Sequence, residues 1–279
     1  MNKDGFVAAL DQSGGSIKKA LLSYGVTNLE GDLFEVMHDM RVRVIKNLDY
    51  SKISGVIIFE GEVNEKIDGK NTVDYLIDKD ALVFVKIDKG LEEKTNGVSL
   101  MKDISNLENT LDLLKEKGVY GTKMRSVIYE NNILGIRKLV DQQFSLARIV
   151  LKHGLVPIIE PEVDINALDK EECEITLKKE LDRNLKQLGD DKVILKLTLP
   201  SLDNFYLDYT SNKNVLKVLA LSGGYSREVA CDKLSKNKGV SASFSRALLE
   251  GLNINQTDNE FRDVLNKNVY DIYIASACE

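Results

Sequence analysis

A lysine stands in the middle of the apolar run Val193-Ile194-Leu195-Lys196-Leu197-Thr198-Leu199. Keeping a charge in such a run is costly. Desolvation, together with neighbouring cations from Lys123 and Arg125, is expected to depress the pKa of Lys196 toward neutrality. A free amine would then be available, and the chemistry that needs one is imine formation with a ketone, where the protonated imine is an electron sink for carbanion chemistry. A lysine whose stem crosses the core and whose head reaches solvent or a carboxylate fits the same residue, but the cluster of charges around it favours the chemical reading. In Pro157-Ile158-Ile159-Glu160-Pro161-Glu162, two carboxylates share one face of a strand end, where one can raise the pKa of the other. Such a pair can shuttle protons, which imine chemistry requires because water must leave the carbinolamine. The plainer alternative is a pair of salt-bridge partners for Lys123 and Lys196.

Two further segments have the chemistry of anion sites. Leu221-Ser222-Gly223-Gly224 and Ser243-Phe244-Ser245-Arg246 each close an apolar run, so exposed backbone N–H groups and a guanidinium fork could grip a phosphate dianion. Asp11-Gln12-Ser13-Gly14-Gly15-Ser16 follows the first run and opens a helix; with Lys86 it could hold a second phosphate, leaving Asp11 as a carboxylate for proton work. Helix capping by Ser13 or Ser16 explains the same residues. Lys89, Lys102, Glu92, Glu93 and the charge run from Lys170 to Glu180 are expected on solvated faces.

The elements that must position these residues are a repeated pair, a short apolar run followed by a longer amphipathic stretch. Eight runs are legible: Phe6 to Asp11, Gly55 to Glu60, Leu82 to Asp88, Tyr120 to Arg125, Leu155 to Val163, Val193 to Leu199, Leu216 to Ser222 and Val240 to Ser245. Leu33 to Ile45, Leu107 to Lys117, Asn131 to Lys152, Lys170 to Leu188 and Ser226 to Leu234 carry apolar residues at three- and four-residue spacing and are predicted helices. Between the sixth and seventh runs the helix is short and poorly defined. Alternating strands and helices imply parallel pairing with right-handed crossovers, and eight strands close a single (β/α)8 barrel of the α/β class spanning residues 1–279 with a short C-terminal helical segment. A doubly wound open sheet is the alternative, but no GxGxxG turn follows the first run. In the barrel all strand ends converge on one mouth, which would bring Asp11, Lys86, Lys123, Arg125, Glu160, Glu162 and Lys196 together.

Composition narrows the function further. With 43% hydrophobic and 29% charged residues the chain reads as a soluble protein, and no apolar run approaches membrane-spanning length. A net charge of -6 gives no global attraction to nucleic acid or an anionic membrane. Three scattered cysteines, Cys173, Cys231 and Cys278, and an N-terminus without signal-peptide regions point to a reducing cytoplasm. Two histidines, His38 and His153, leave little support for a three-histidine zinc site or a Ser-His-Asp triad, so neither metal nor cofactor is expected. Assembly into a homo-oligomer stays open.

Taken in chain order, Phe84-Val85-Lys86-Ile87-Asp88-Lys89-Gly90, Gly121-Thr122-Lys123-Met124-Arg125, Val156-Pro157-Ile158-Ile159-Glu160-Pro161-Glu162, Ile194-Leu195-Lys196 and Leu221-Ser222-Gly223-Gly224 resemble class I fructose-1,6-bisphosphate aldolase, in its short bacterial type. The resemblance implies a metal-independent lyase of glycolysis and gluconeogenesis acting on a sugar phosphate. It implies Lys196 as the Schiff-base lysine and Glu160 as acid/base for imine formation, with Glu162, Lys123 and Arg125 orienting that lysine and Asp11 assisting bond cleavage. Ser222, Gly223, Gly224, Ser245 and Arg246 would meet the phosphate nearer the imine, and Ser13, Ser16 and Lys86 the other. The sequence departs from the animal and plant pattern at Ala20, where an arginine is common, at Met124, where tryptophan is, and at Ser276-Ala277-Cys278-Glu279, which lacks a terminal tyrosine. Another group is therefore expected to take the imine intermediate's proton. Another Schiff-base barrel, such as a transaldolase, and a phosphate-binding scaffold without chemistry are the alternatives.

Overall fold

The computed structural model describes residues 5–276. Cys278 and the terminal Ala277-Cys278-Glu279 therefore lie outside the described residues. The eight apolar runs all form strands: β1 (Phe6–Leu10), β2 (Ile53–Phe59), β3 (Leu82–Lys86), β4 (Gly121–Ile128), β5 (Val156–Val163), β6 (Val193–Thr198), β7 (Val215–Leu221) and β8 (Val240–Ala242). Each pairs in parallel with the next in chain order. Buried on both faces, β1 reads as a continuous apolar stretch rather than an alternating one, and β6 as one broken by Lys196. The seam between β8 and β1 is crossed by a hydrogen bond from Ala9 N to Phe244 O, 3.3 Å, and by one from Ser241 Oγ to Gly5 O, 3.1 Å, so the sheet is a nearly closed (β/α)8 barrel.

Helices α1 (Gly15–Ser23), α2 (Leu33–Asn47), α3 (Thr72–Asp78), α4 (Leu107–Glu116), α5 (Ile133–Lys152), α6 (Lys170–Leu185), α7 (Arg227–Ser235), α8 (Arg246–Leu249) and α9 (Asp258–Ser276) surround it. Helix α5 shows the local logic. Asn132 Oδ1 caps it by accepting from Gly135 N at 2.9 Å, and Ile136, Leu139, Val140, Phe144, Ala147 and Val150 form a buried stripe at helical spacing. It stops at Gly154, whose φ of 70° suits the left-handed residue after a helix C-terminus. Between β6 and β7 there is only a 3-10 turn, Leu207–Ser211, where the sequence pattern is weak.

Apolar side chains segregate into two clusters. The larger fills the layer between strands and helices. Inside the barrel, Val7, Ala9, Ile57, Phe84, Ile158, Ile194 and Leu219 make a separate plug. Phe84 needs Gly121 beside it: a Cβ there would lie 2.9 Å from the ring and 2.1 Å from Val156 O.

The strand ends differ from the sequence reading in detail. Glu60 begins a 3-10 turn, Glu60–Asn64, instead of ending β2, and β8 stops at Ala242. Strand β4 extends to Ile128, paired in parallel with β5 as far as Val163 and antiparallel with Val98–Ser99 on its other side. The run from Lys170 to Glu180 is not uniformly solvated. Glu174 and Glu180 are buried, the first held by Lys170 and by Ser201 N, the second by Arg137 and Arg183. Helix α9 packs across α7, α8, β8 and β1, and Ser276 Oγ accepts from Ala242 N at 3.0 Å beside the seam.

Candidate active site

Four strands contribute one row of alternating charges above the apolar plug. Asp11, just past β1, places Oδ2 2.9 Å from Lys123 Nζ of β4. The same ammonium lies 2.6 Å from Glu160 Oε2 of β5, and the other oxygen of Glu160 lies 3.1 Å from Lys196 Nζ of β6. All four side chains are buried. Register produces the row, since Arg125 sits opposite Glu160 and Ile158 opposite both Lys123 and Ile194.

Burial alone would raise the carboxyl of Asp11, but Lys123 and then Lys196 outweigh it and hold the group far below the usual carboxylate range. For Glu160 burial again opposes ionisation, and Lys123, Lys196 and Arg125 again bring the pKa down. Lys123 is the mirror case: burial disfavours its charge, while Asp11, Glu160 and Asp88 raise its pKa above that of an ordinary lysine. At neutral pH the row therefore reads carboxylate, ammonium, carboxylate, with Lys196 at its end.

This corrects two expectations. Glu160 is pushed down, not raised by Glu162, because Glu162 faces Arg125, with Oε2 2.6 Å from Nε. The charge in contact with Lys196 is Glu160; Lys123 stands on that carboxylate's far side. Both follow from side-chain pairing between strands, which strand-by-strand reading does not contain.

Two devices fix Glu160 and Lys196. Buried Gln143 of α5 accepts from Glu160 N at 2.9 Å and donates to Ser126 Oγ. The β5–β6 ladder pairs Ile158 with Ile194 and Ile159 with Leu195, and higher up the Thr198 hydroxyl takes over, accepting from Val163 N at 2.9 Å and donating to Val163 O at 2.8 Å.

Toward solvent lies a second tier. Lys86 Nζ meets Asp88 Oδ1 at 2.6 Å, Asp88 Oδ2 accepts from Arg125 N at 3.2 Å, and the half-exposed Arg125 pairs with Glu162. Ser13 and Ser16 close a small ring at the start of α1, Ser13 N donating to Ser16 Oγ at 3.0 Å and that hydroxyl to Ser13 O at 2.9 Å.

Past β7, Ser222 is buried and Gly223 and Gly224 have φ of 61° and 127°, backbone that favours glycine. A Cβ on Gly224 would sit 3.4 Å from both terminal nitrogens of Arg246, so the guanidinium lies over the glycine pair. Ser245 Oγ accepts from Gln12 Nε2 at 2.6 Å, tying the loops after β8 and β1. Ser243 lies between Ser241 and Ser245 in a period-two pattern, and its own Oγ is buried without a hydrogen-bond partner among the described residues. Sequence reading named Ser243 in the segment that closes the eighth run but gave it no role of its own.

It passed over Arg41, a fully buried residue of α2. Its Nε donates to Leu10 O at 3.0 Å, one terminal nitrogen donates to Gln12 O, and the other pairs with Glu62. The available signal was an arginine on the stripe of Met37, Met40, Val44 and Ile45. His38 lies against Glu62 and His153 against Asp112, so the two histidines are apart. Among the described residues no helix is long and apolar enough to cross a membrane.

Comparison with known proteins gives the family. The family described as class I fructose-bisphosphate aldolase matches residues 2–206, from β1 through Lys196. A class 1 fructose-bisphosphate aldolase of Clostridium acetobutylicum is 50% identical over 285 residues, covering 99% of this chain and 97% of that protein. In the solved structures, the fructose-bisphosphate aldolase of Plasmodium falciparum superposes with a TM-score of 0.76 at 21% identity over 99% of this chain and 91% of that one, a likeness of fold. The chain belongs to the class I fructose-bisphosphate aldolases, which are lyases.

Proposed function

We propose that the chain reversibly cleaves fructose 1,6-bisphosphate to dihydroxyacetone phosphate and glyceraldehyde 3-phosphate through an imine on Lys196. The observation that carries this reading is the row Lys196, Glu160, Lys123, Asp11, with contacts of 3.1, 2.6 and 2.9 Å. The Lys196 nitrogen attacks the C2 carbonyl of the ketose, and the carbinolamine loses water to give a protonated imine. Glu160 in contact with that nitrogen accepts and returns the protons these steps exchange, and the Lys123 ammonium, unchanged throughout, balances the charge of Glu160 when it is a carboxylate. Asp11 then removes the C4 hydroxyl proton, the C3–C4 bond breaks, and its electron pair moves into the imine to leave an enamine on Lys196. The aldehyde departs, Asp11 gives its proton up to water, C3 takes a proton from water at the mouth, and a further water hydrolyses the imine to release the second product and the Lys196 amine.

Ser222, Gly223, Gly224, Ser245 and Arg246 hold the phosphate nearer the imine, with Ser243 adding a hydroxyl that has no partner among the described residues. Ser13, Ser16 and Lys86 meet the other phosphate once Lys86 turns from Asp88. Glu162 holds Arg125 at the mouth, where it orients the sugar. The setting is the cytoplasm, in glycolysis and gluconeogenesis, with the barrel and α9 acting as one domain and the protein free to form homo-oligomers.

Initial rates with fructose 1,6-bisphosphate and fructose 1-phosphate test the substrate. A kcat/KM for the bisphosphate at least about tenfold higher is expected, as one phosphate grip provides. Equal values would remove the second phosphate site from the account, and turnover restricted to transaldol exchange would favour a transaldolase.

A further inference from the structure

Arg41 is buried in an apolar stripe, yet it spends its donors on the end of β1. Nε donates to Leu10 O at 3.0 Å and a terminal nitrogen donates to Gln12 O, so the planar fork spans the two carbonyls that flank Asp11. Its charge is balanced by Glu62, whose second oxygen lies 2.6 Å from His38 Nδ1. Burial of Arg41 lowers its pKa, and Glu62 and then Asp11 oppose that, which places the guanidinium within reach of the carboxylate's field.

A buried ion pair is a poor source of stability, because apolar residues of similar volume often serve as well or better. What an apolar residue cannot do is fix the Leu10–Asp11 and Gln12–Ser13 peptide planes, one on each side of Asp11. The direction of the Asp11 side chain, and hence its 2.9 Å contact with Lys123, depends on the backbone that those carbonyls report. We propose that Arg41 is a positioning residue for the carbon–carbon bond step, holding Asp11 in line through the carbonyls of Leu10 and Gln12. The proposal rests on Asp11 being the group that takes the C4 hydroxyl proton.

Imine formation and bond cleavage can be read separately. Borohydride trapping with dihydroxyacetone phosphate reports the imine on Lys196, and steady-state cleavage of fructose 1,6-bisphosphate reports the later step. Three variants are compared: Asp11→Asn, Arg41→Lys, and the double variant Arg41→Met with Glu62→Met, which removes both buried charges together and keeps the fold. Lysine retains the charge but cannot span two carbonyls.

The expected result is a kcat about 10- to 100-fold lower in both Arg41 variants, as a displacement near 1 Å gives, with KM within about threefold and trapping at the parent rate. Asp11→Asn should show the same split. A folded double variant with parent kcat, beside an Asp11→Asn variant that has lost cleavage, overturns the role of Arg41 alone. Equal losses of trapping and cleavage in the Arg41 variants also overturn it, since they indicate general support of the barrel. Full cleavage by Asp11→Asn overturns both the assignment of Asp11 and the role of Arg41.

Discussion

Replacing Lys123 by methionine keeps most of the stem's volume and deletes the ammonium that Asp11 and Glu160 share, at 2.9 and 2.6 Å. At an effective dielectric of about 20, each contact has roughly 6 kcal/mol of bare attraction, most of it offset by the cost of burying the charges. The net loss when one partner of a buried network is removed is about 3–5 kcal/mol. The sign of the pH dependence follows from the carboxyls. In the parent, Asp11 and Glu160 are held below their usual range, so their contribution is full above about pH 4 to 5 and is lost as pH falls through the depressed folded-state values. Without Lys123, burial, the largest influence on both carboxyls, is opposed by Lys196 with Lys86 at Asp11 and by Lys196 with Arg125 at Glu160, so the folded-state values are expected to rise above the unfolded ones and the variant to gain stability on protonation. Its deficit should be greatest near pH 7 and should shrink by up to about 1.4 kcal/mol per pH unit for each extra proton bound as pH falls toward about 4.5. Urea denaturation of both proteins across that range measures it. A deficit that stays constant with pH, or one below about 1 kcal/mol at neutral pH, would refute the electrostatic account of the row.

Gly121→Ala drives a Cβ to 2.1 Å from Val156 O and 2.9 Å from the Phe84 ring, so a loss of about 1–3 kcal/mol or more is expected by thermal or urea unfolding. Gln143→Leu leaves Glu160 N and the Ser126 hydroxyl unpaired; unfolding should show a loss of about 1–3 kcal/mol, with trapping on Lys196 slowed because Glu160 is no longer fixed. Arg246→Ala removes the guanidinium over Gly224 and should raise KM for a phosphorylated ketose about 10- to 100-fold at little cost in stability, because Arg246 is exposed.

The barrel was legible because its eight strands are apolar runs that stand out from amphipathic stretches, and Lys196, Glu160, Lys123 and Asp11 were legible as charges in or ending those runs. Which charge meets which was legible only in part. Glu160 meets both Lys123 and Lys196, as the salt-bridge alternative had it, but Glu162 turns to Arg125 by side-chain reach across β4 and β5, and reading one strand at a time gave Lys196 cations for neighbours and one carboxyl of the Glu160–Glu162 pair a raised pKa. Buried charges off the strands were equally hidden. Arg41, Glu174 and Glu180 look like solvated residues until Leu10 O, Ser201 N or Arg137 is brought beside them by contacts distant in sequence. Helix α3 has too few residues for periodicity to show, and the stripe of α9, Phe261, Leu265, Val269 and Ile272, is interrupted by Asn268, buried and donating to Leu248 O and Glu250 O.

The imine on Lys196 is the centre of the account, and borohydride reduction in the presence of dihydroxyacetone phosphate tests it most directly. Peptide mass spectrometry should find a reduced triose phosphate adduct on Lys196, with loss of cleavage activity in step with labelling and no adduct in Lys196→Ala. An adduct on another lysine, or full cleavage by Lys196→Ala, would contradict it.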